Sequence, residues 1–365
     1  MTNTVYSILQ DFCLTPSPSG FEKEIAEKFY RYIEPYCDSV EVDPLGNVIG
    51  TIKGQDPSLK PVMINSHMDR IGFIVSTIAE NGFLRMRTIG SPNEKVLPGL
   101  TLSVRRKDHS EWVKVAVGTK CAHLLTAEEA AKAPTLRDVM LDPGVDSADE
   151  VRALGIDIGC PAVMTPSFAP LAGSRVCGTA LDNCGTLAAL VDAARQLSEE
   201  RPLRTVYICA NGFEEYNQRA SAAIVRRFRP IAAISMDMLL AGDTPDVKGE
   251  FEADLGGGPV VSCYNYSSNS DIGCIAHEGL LAIAGEAAAA KNIAIQRYVC
   301  GGCGDNAYAS MEADGPAAIE IGAAVRYAHS SCEMADLRDI EQLGVLIAEM
   351  ARRIDGAFRQ ERYTF

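Results

Sequence analysis

Four short apolar runs, each followed within a few residues by acids or a histidine, constrain this chain more than any other feature. Val62-Met63-Ile64-Asn65 leads into His67-Met68-Asp69, and Val206-Tyr207-Ile208-Cys209 leads into Glu214-Glu215. Ile231-Ala232-Ala233-Ile234 leads into Asp237, and Ala317 to Ile321 leads through a loop to His329. Short unbroken apolar runs suit central strands buried on both faces, as in parallel sheets. Open parallel sheets bind ligands beyond the carboxyl ends of their strands. Acids and histidines gathered at that edge point to a metal-dependent active site. A fifth candidate, Asp182, stands just ahead of a helical stretch, where an N-cap is the alternative reading.

The rest of the chain extends this pattern. Ser19 with Glu22 fits a capping box for a helix over about 20–36, and a hairpin turns at Asp43-Pro44-Leu45-Gly46-Asn47. From about Ser174 onward, helical patterns at 183–199, 220–228 and 278–291 alternate with strands at 203–210, 231–236 and 317–321. An amphipathic helix closes the chain over 336–358, with Ile340, Leu343, Leu346, Ile347, Met350 and Ile354 on one face. Between 71 and 166 the texture differs. Short β segments at 71–75, 83–88, 102–105 and 113–117 are separated by Gly, Pro and Asn, with helical stretches only at 127–133 and 147–154. Such close spacing predicts a small β-rich domain. The expected fold class is α/β: a sandwich built from residues 1–70 and 167–365, interrupted by a β-rich insertion over 71–166.

Charge and cysteine usage narrow the function. The chain has 48 acidic against 34 basic residues, a formal charge of −14. That argues against nucleic acid and anionic membrane surfaces, which need basic patches. No apolar run is long enough to span a bilayer, and Met1 to Gln10 lacks the pattern of an export signal. The 12 cysteines are scattered, some inside apolar runs. They read as reduced thiols in a cytoplasmic protein. Cys300-Gly301-Gly302-Cys303 lacks the second pair that a zinc site wants and the helix that a redox motif wants, so it reads as a Gly-rich loop.

Imidazoles and carboxylates suit zinc, cobalt or manganese. Two histidines and three acids are too many for one catalytic zinc, which takes three protein ligands and keeps an open position. They suit two metals about 3.5–4 Å apart with one carboxylate between them. In the Glu214-Glu215 pair, one acid could bind metal while the other serves as a base. Singly, each candidate has a plainer reading: His67 a core histidine, Asp237 a loop acid, His329 the end of a turn, Glu214-Glu215 a solvated pair. Their common placement at strand ends favours the metal site. His109, His123 and His277 lie elsewhere.

The ordered segments SPSGFEKE (from Ser17), DPLGNV (Asp43), HMDRIGFIV (His67), VLPG (Val96), HLLTAEE (His123), ALDN (Ala180), EE (Glu214), GDTP (Gly242) and RYAHS (Arg326) resemble metallopeptidase family 42 over almost the whole chain. These are the dinuclear glutamyl and tetrahedral aminopeptidases. The resemblance implies a sandwich of the co-catalytic zinc exopeptidase type. It implies two divalent metals, zinc first, with cobalt or manganese as alternatives. His67 and Asp237 would hold one metal, Glu215 and His329 the other, and Asp182 would bridge both. Glu214 would be the general base and Asp69 would orient His67. The insertion would support dimers that build into a dodecamer, and the substrates would be peptides with a free N-terminus. The chain departs from the family pattern at Arg70 (usually Glu), Cys184 (usually Arg), Tyr216-Asn217-Gln218-Arg219 (usually VGLR) and Gly304-Asp305-Asn306-Ala307 (usually GTDA). A deacylase or carboxypeptidase on the same scaffold is one rival, and the departures at Arg70 and Tyr216 to Arg219 keep a second in view, a catalytically silent metal-binding assembly protein. A glycosidase, with two carboxyls and no metals, leaves the histidines unexplained.

Overall fold

A computed structural model describes residues 4–363 of the chain; 1–3 and 364–365, the outer ends of the two expected sandwich segments, lie outside the described residues. The strands are β1 (Ser39–Val42), β2 (Val48–Ile52), β3 (Val62–His67), β4 (Gly72–Ile78), β5 (Leu84–Ile89) and β6 (Thr101–Arg105). There follow β7 (Trp112–Gly118), β8 (Met140–Asp142), β9 (Pro161–Met164), β10 (Phe168–Pro170), β11 (Arg175–Gly178) and β12 (Val206–Asn211). The last six are β13 (Ala232–Leu240), β14 (Val260–Ser267), β15 (Ile272–Ile275), β16 (Gln296–Cys300), β17 (Ala317–Val325) and β18 (Glu333–Asp336).

The central sheet runs β1-β2-β12-β3-β13-β17-β14-β15, with β16 also paired to β14. Its middle four strands, β12, β3, β13 and β17, are parallel. These are the four apolar runs of the sequence. Successive side chains on a strand point to opposite faces, and β3 shows the result. Val62 and Ile64 pack with Ile208, Ile234 and Ile319 against one helical layer, while Met63 joins Cys209 and Ala233 on the other side. The first layer holds the helices Val5–Cys13, Lys23–Ile33, Leu181–Glu199, Glu278–Lys291 and Leu337–Arg353, and the second is built on Ala220–Phe228. Burying an Ile in this way is worth roughly 1.5–3 kcal/mol over leaving it exposed. The fold is therefore an α/β/α sandwich.

Between β3 and β11 the chain leaves the sandwich and closes a barrel in the order β4-β5-β8-β7-β6-β9. Phe73 and Val75, Leu102 and Val104, and Val115 and Val117 alternate into its interior. The four strand segments expected there all form, and β8 and β9 complete the closure. Those two lacked a sequence signal because β8 has three residues and β9 opens on proline.

The helix expected over 20–36 is α-helical over Lys23–Ile33 and 3-10 over Glu34–Tyr36, where Pro35 removes an N–H. The capping box does not form. Ser19 Oγ instead donates to Asp69 Oδ2 at 2.6 Å, and Glu22 Oε1 accepts the N–H groups of Gly20 at 2.7 Å and Phe213 at 3.3 Å. Both residues are buried. Their polar groups serve the sheet edge described next rather than the helix end.

Candidate metal centre

The sheet register brings the expected residues together. His67 ends β3 and pairs with Asn211, the last residue of β12. Met236 pairs with Ser66, so Asp237 reaches the level of His67 on the neighbouring strand β13. Glu214 and Glu215 open a short helix just after β12, and His329 lies between β17 and β18. Asp182 is not a helix N-cap. Ala180 takes that position without a side-chain bond, and Asp182 and Asn183 interrupt the helical backbone. Around these residues, Ala180, Phe213, Tyr327 and His329 adopt left-handed backbone, with φ of 57°, 62°, 59° and 61°. Non-glycine residues held there cost of order 1–3 kcal/mol each and collect at functional sites.

His67 Nε2 is 3.3 Å from Asp182 Oδ1, 3.5 Å from Asp237 Oδ1 and 3.8 Å from Glu214 Oε2. His329 Nε2 is 3.5 Å from Asp182 Oδ2 and 3.4 Å from Glu215 Oε2. Two donor groups result, His67–Asp182–Asp237 and Asp182–Glu215–His329. Within each group the donor atoms lie within 4.8 Å of one another. Asp182 belongs to both and offers a different oxygen to each histidine. Among the described residues Cys300 and Cys303 join no such group.

Both imidazoles are fixed through the other ring nitrogen. His67 Nδ1 lies 3.1 Å from the Asp69 carbonyl oxygen, and His329 Nδ1 lies 2.9 Å from the Ser91 carbonyl oxygen. Each Nδ1–H can donate there, leaving Nε2 with its lone pair toward the acids. The Asp69 carboxylate stands 3.6 Å from His67 Nδ1. It is mainly engaged elsewhere, accepting the N–H groups of Glu214 and Glu215 at 3.1 Å each.

Sequence reasoning passed over Glu333. It is buried, accepts the N–H of His329 at 2.7 Å and that of Asp182 at 3.0 Å, and so ties two of the converging segments together. Its only signal is its place four residues after His329. Asp305 and Glu320 were also missed. Asp305 lies behind the site and Glu320 on the cleft wall, accepting from Asn211 Nδ2 at 2.6 Å and Asn265 Nδ2 at 2.7 Å. Gly304 explains one glycine of the altered late motif, because a Cβ there would come within 2.4 Å of Glu320 Oε1 and 2.7 Å of Asp237 Oδ2.

The cluster's electrostatics call for cations. Burial works against protonating His329, but the charges of Glu215 and Asp182 outweigh it and push the imidazole up to about 12. Burial opposes protonation of His67 as well, yet Glu214, Asp182 and Asp237 raise it well above its usual value. Burial pushes the carboxyls of Glu214, Glu215 and Asp237 upward. Asp182 is lowered despite its burial because both imidazoles face it. Two buried oxygens of the cluster, Asp182 Oδ1 and Glu215 Oε1, accept no hydrogen bond. Unpaired buried carboxylate oxygens beside imidazole nitrogens suit divalent metals. The residues fit such ions, which would take the place of the protons the acids force onto the histidines.

A cleft of about 570 Å³ opens over the cluster, lined by His67, Asp182, Glu214, Glu215, Asp237 and His329 among others. The sequence profile of the M42 glutamyl aminopeptidase family matches residues 46–346. The chain belongs to that family. Lysyl aminopeptidase of Pyrococcus furiosus is 29% identical over 92% of this chain and 93% of its own length. The aminopeptidase APDkam598 of the archaeon Desulfurococcus kamchatkensis superposes with a TM-score of 0.90 at 29% identity, covering 96% of this chain and 94% of that one. The TET1 peptidase of Pyrococcus horikoshii, which assembles into a tetrahedron or a large octahedral shell, gives 0.84 at 26% identity, covering 95% and 99%. This M42 chain is a metallo-aminopeptidase, a hydrolase of peptide bonds.

Two departures from the M42 pattern meet in space. The buried Arg70 guanidinium donates to the carbonyls of Phe12, Cys13 and Thr15 and to Ser17 Oγ, and lies 3.9 Å from Cys184 Sγ. The cation at this buried spot of the M42 chain is Arg70, with the Cys184 thiol beside it.

Proposed function

We propose that the chain removes N-terminal residues from peptides with a free α-amine. Asp182 would be shared between two divalent metals, His67 and Asp237 would complete one site, and Glu215 and His329 the other. The observation that carries this reading is the pair of donor groups joined at Asp182, with Glu214 beside them and outside both. When bound, the metals supply Lewis acidity, which acidifies water and polarises the scissile carbonyl. Glu214 then acts as the base: its Oε2, on the His67 side, takes a proton from the attacking water and returns it to the departing amine nitrogen as the peptide C–N bond breaks. The cleft wall carries Asp182, Glu214, Glu215, Asp237 and Glu320 against a single permanent cation, Arg219. Acids not consumed by metal would attract the substrate's α-ammonium, which accounts for cleavage from the N-terminus.

Zinc is the first candidate metal, with cobalt and manganese as alternatives that the same donors accept. Following the P. horikoshii shell, the barrel over 71–166 would support a dimer and a closed dodecamer, which light scattering can test. Among the described residues no helix is long and apolar enough to cross a membrane, and we place the protein in the cytoplasm. The deciding experiment is hydrolysis of a panel of aminoacyl-p-nitroanilides and short peptides after chelation and after adding back each metal. Basic N-terminal residues form one arm, because the P. furiosus relative is a lysyl aminopeptidase. Metal-restored release, absent with N-acetylated peptides and with Glu214→Gln, is the expected result. Release that survives Glu214→Gln, or that accepts acetylated substrates, overturns the reading.

A further inference from the structure

Two stretches remain outside the reading above: Tyr216-Asn217-Gln218-Arg219, where the M42 pattern is broken, and the Cys300–Cys303 loop. They meet at Gln218, on the wall of the cleft. Gln218 ends the short helix that begins at Glu214. Its backbone is left-handed, with φ of 58°, and its N–H bonds back to the carbonyls of Phe213 at 3.0 Å and Glu214 at 3.1 Å. A long-chain residue rarely holds this conformation unless its surroundings impose it. Here the surroundings are specific. Gln218 Nε2 donates to Glu214 Oε1 at 2.8 Å and to the Cys303 carbonyl at 2.6 Å, while Gln218 Oε1 accepts the Cys303 thiol at 3.3 Å. The amide cannot be turned round. Reversed, its oxygen would face the Cys303 carbonyl, which has no proton to give.

We infer that Gln218 is a positioning residue, whose side-chain amide holds Glu214 by Oε1 so that Oε2 alone faces the His67 side of the cleft, and ties that arrangement to the Cys300–Cys303 loop. The inference rests on the reading of Glu214 as the base. A carboxylate free to rotate presents either oxygen in many directions, whereas one anchored at Oε1 presents Oε2 in one. Fixing the approach of a base in this way acts on turnover rather than on substrate affinity. Gln218 has no proton to exchange in the reaction. Its contribution passes through Glu214, and the thiol of Cys303 in turn steadies the amide.

The test uses the full-length, metal-loaded protein and the best substrate from the aminoacyl-p-nitroanilide panel. Gln218→Met keeps the length of the side chain and removes the donor. It should lower kcat by about 10- to 100-fold, the usual weight of a hydrogen bond to a charged group. KM and metal content should stay close to their original values. Gln218→Glu keeps the shape but sets a second carboxylate against Glu214, and should lower kcat further than the methionine does. Iodoacetamide should alkylate Cys303 severalfold faster in Gln218→Met, read by peptide mass, because the loop has lost its tie. Near-original kcat in either variant overturns the inference, as does a loss carried by KM, or equal losses in the two variants. Should Gln218→Met not fold, the kcat of Gln218→Glu decides alone. Glu214→Gln separates the two levels. Turnover retained there removes the base itself, while turnover lost there but normal in the Gln218 variants removes only the role of Gln218.

Discussion

The side chain of Asp69 seats the backbone of Glu214. Asp69 Oδ1 accepts the Glu214 N–H at 3.1 Å, and Oδ2 accepts the Glu215 N–H at 3.1 Å and the Ser19 hydroxyl at 2.6 Å. The end of β3 therefore contributes His67 directly and, two residues on, an acid that places both glutamates of the neighbouring connection. Asp69 thus aligns two segments as well as standing beside the imidazole. Asp69→Asn should lower the melting temperature and kcat together while metal content is largely kept. One acceptor oxygen becomes a donor that faces an N–H or a hydroxyl, a loss of about 1–3 kcal/mol. Calorimetry beside elemental analysis checks this, and an unchanged melting temperature would rule it out.

Asp182 gives one oxygen to each donor group. Asp182→Asn should therefore weaken both metal sites, whereas Asp237→Asn and His329→Ala should each weaken one. Metal content after dialysis against trace metal should fall toward none in the first variant and toward one per chain in the other two. Equal retention in all three would mean that Asp182 is not shared.

Arg70 donates to the buried carbonyls of Phe12, Cys13 and Thr15. Arg70→Leu leaves the carbonyls of Cys13 and Thr15 without a donor, while that of Phe12 keeps the Thr15 N–H at 2.9 Å; at about 1–3 kcal/mol for each one stranded, the variant should drop the melting temperature by several degrees or more. Adding Cys184→Arg brings a cation back from the opposite side, so the double variant should melt above the single one. A double variant no better than Arg70→Leu would show that the two positions are independent.

Burial, reinforced by the charge of Asp69, lifts Glu22 from its usual 4.5 to about 7. A carboxyl raised on folding favours the folded state while protonated. That advantage is complete below its unfolded value and is lost as pH climbs from 4.5 through 7, by roughly 3 kcal/mol at the upper end. Glu22→Gln removes the charge but keeps an oxygen for the N–H groups of Gly20 and Phe213. The variant should melt higher than the parent at pH 8, and the gap should close by pH 5. A gap independent of pH would mean that Glu22 is not ionised under strain.

The strand positions, and the acids and histidines that gather at their ends, were legible in the sequence because both follow from local rules. Val62 to Ile64 is apolar without interruption because both faces of β3 are covered, and His67 follows because strand ends are where a parallel sheet can bind. The partners that arrive from afar were not legible. Glu333 was invisible because its task, accepting the N–H groups of Asp182 and His329, depends on how β18 returns to the sheet. Ser19 and Glu22 carried a helix-capping spacing that tertiary structure overrode, since the buried Asp69 carboxylate takes the Ser19 hydroxyl and the Phe213 N–H takes Glu22. The strands β14 to β16 gave little signal because exposed tyrosines and polar residues break their alternation.

The loop after β5 belongs by sequence to the insertion, yet the Ser91 carbonyl takes His329 Nδ1 and the Asn93 N–H donates to the His329 carbonyl at 3.1 Å. The hydrolytic half is consequently not a portable cassette. A shortened chain that spliced Asp69 directly to β11 would keep every proposed ligand and still lose both of these hydrogen bonds to His329, one to its ring and one to its backbone. Any effort to miniaturise this protein, or to graft its site onto a plain sandwich, must carry that loop along.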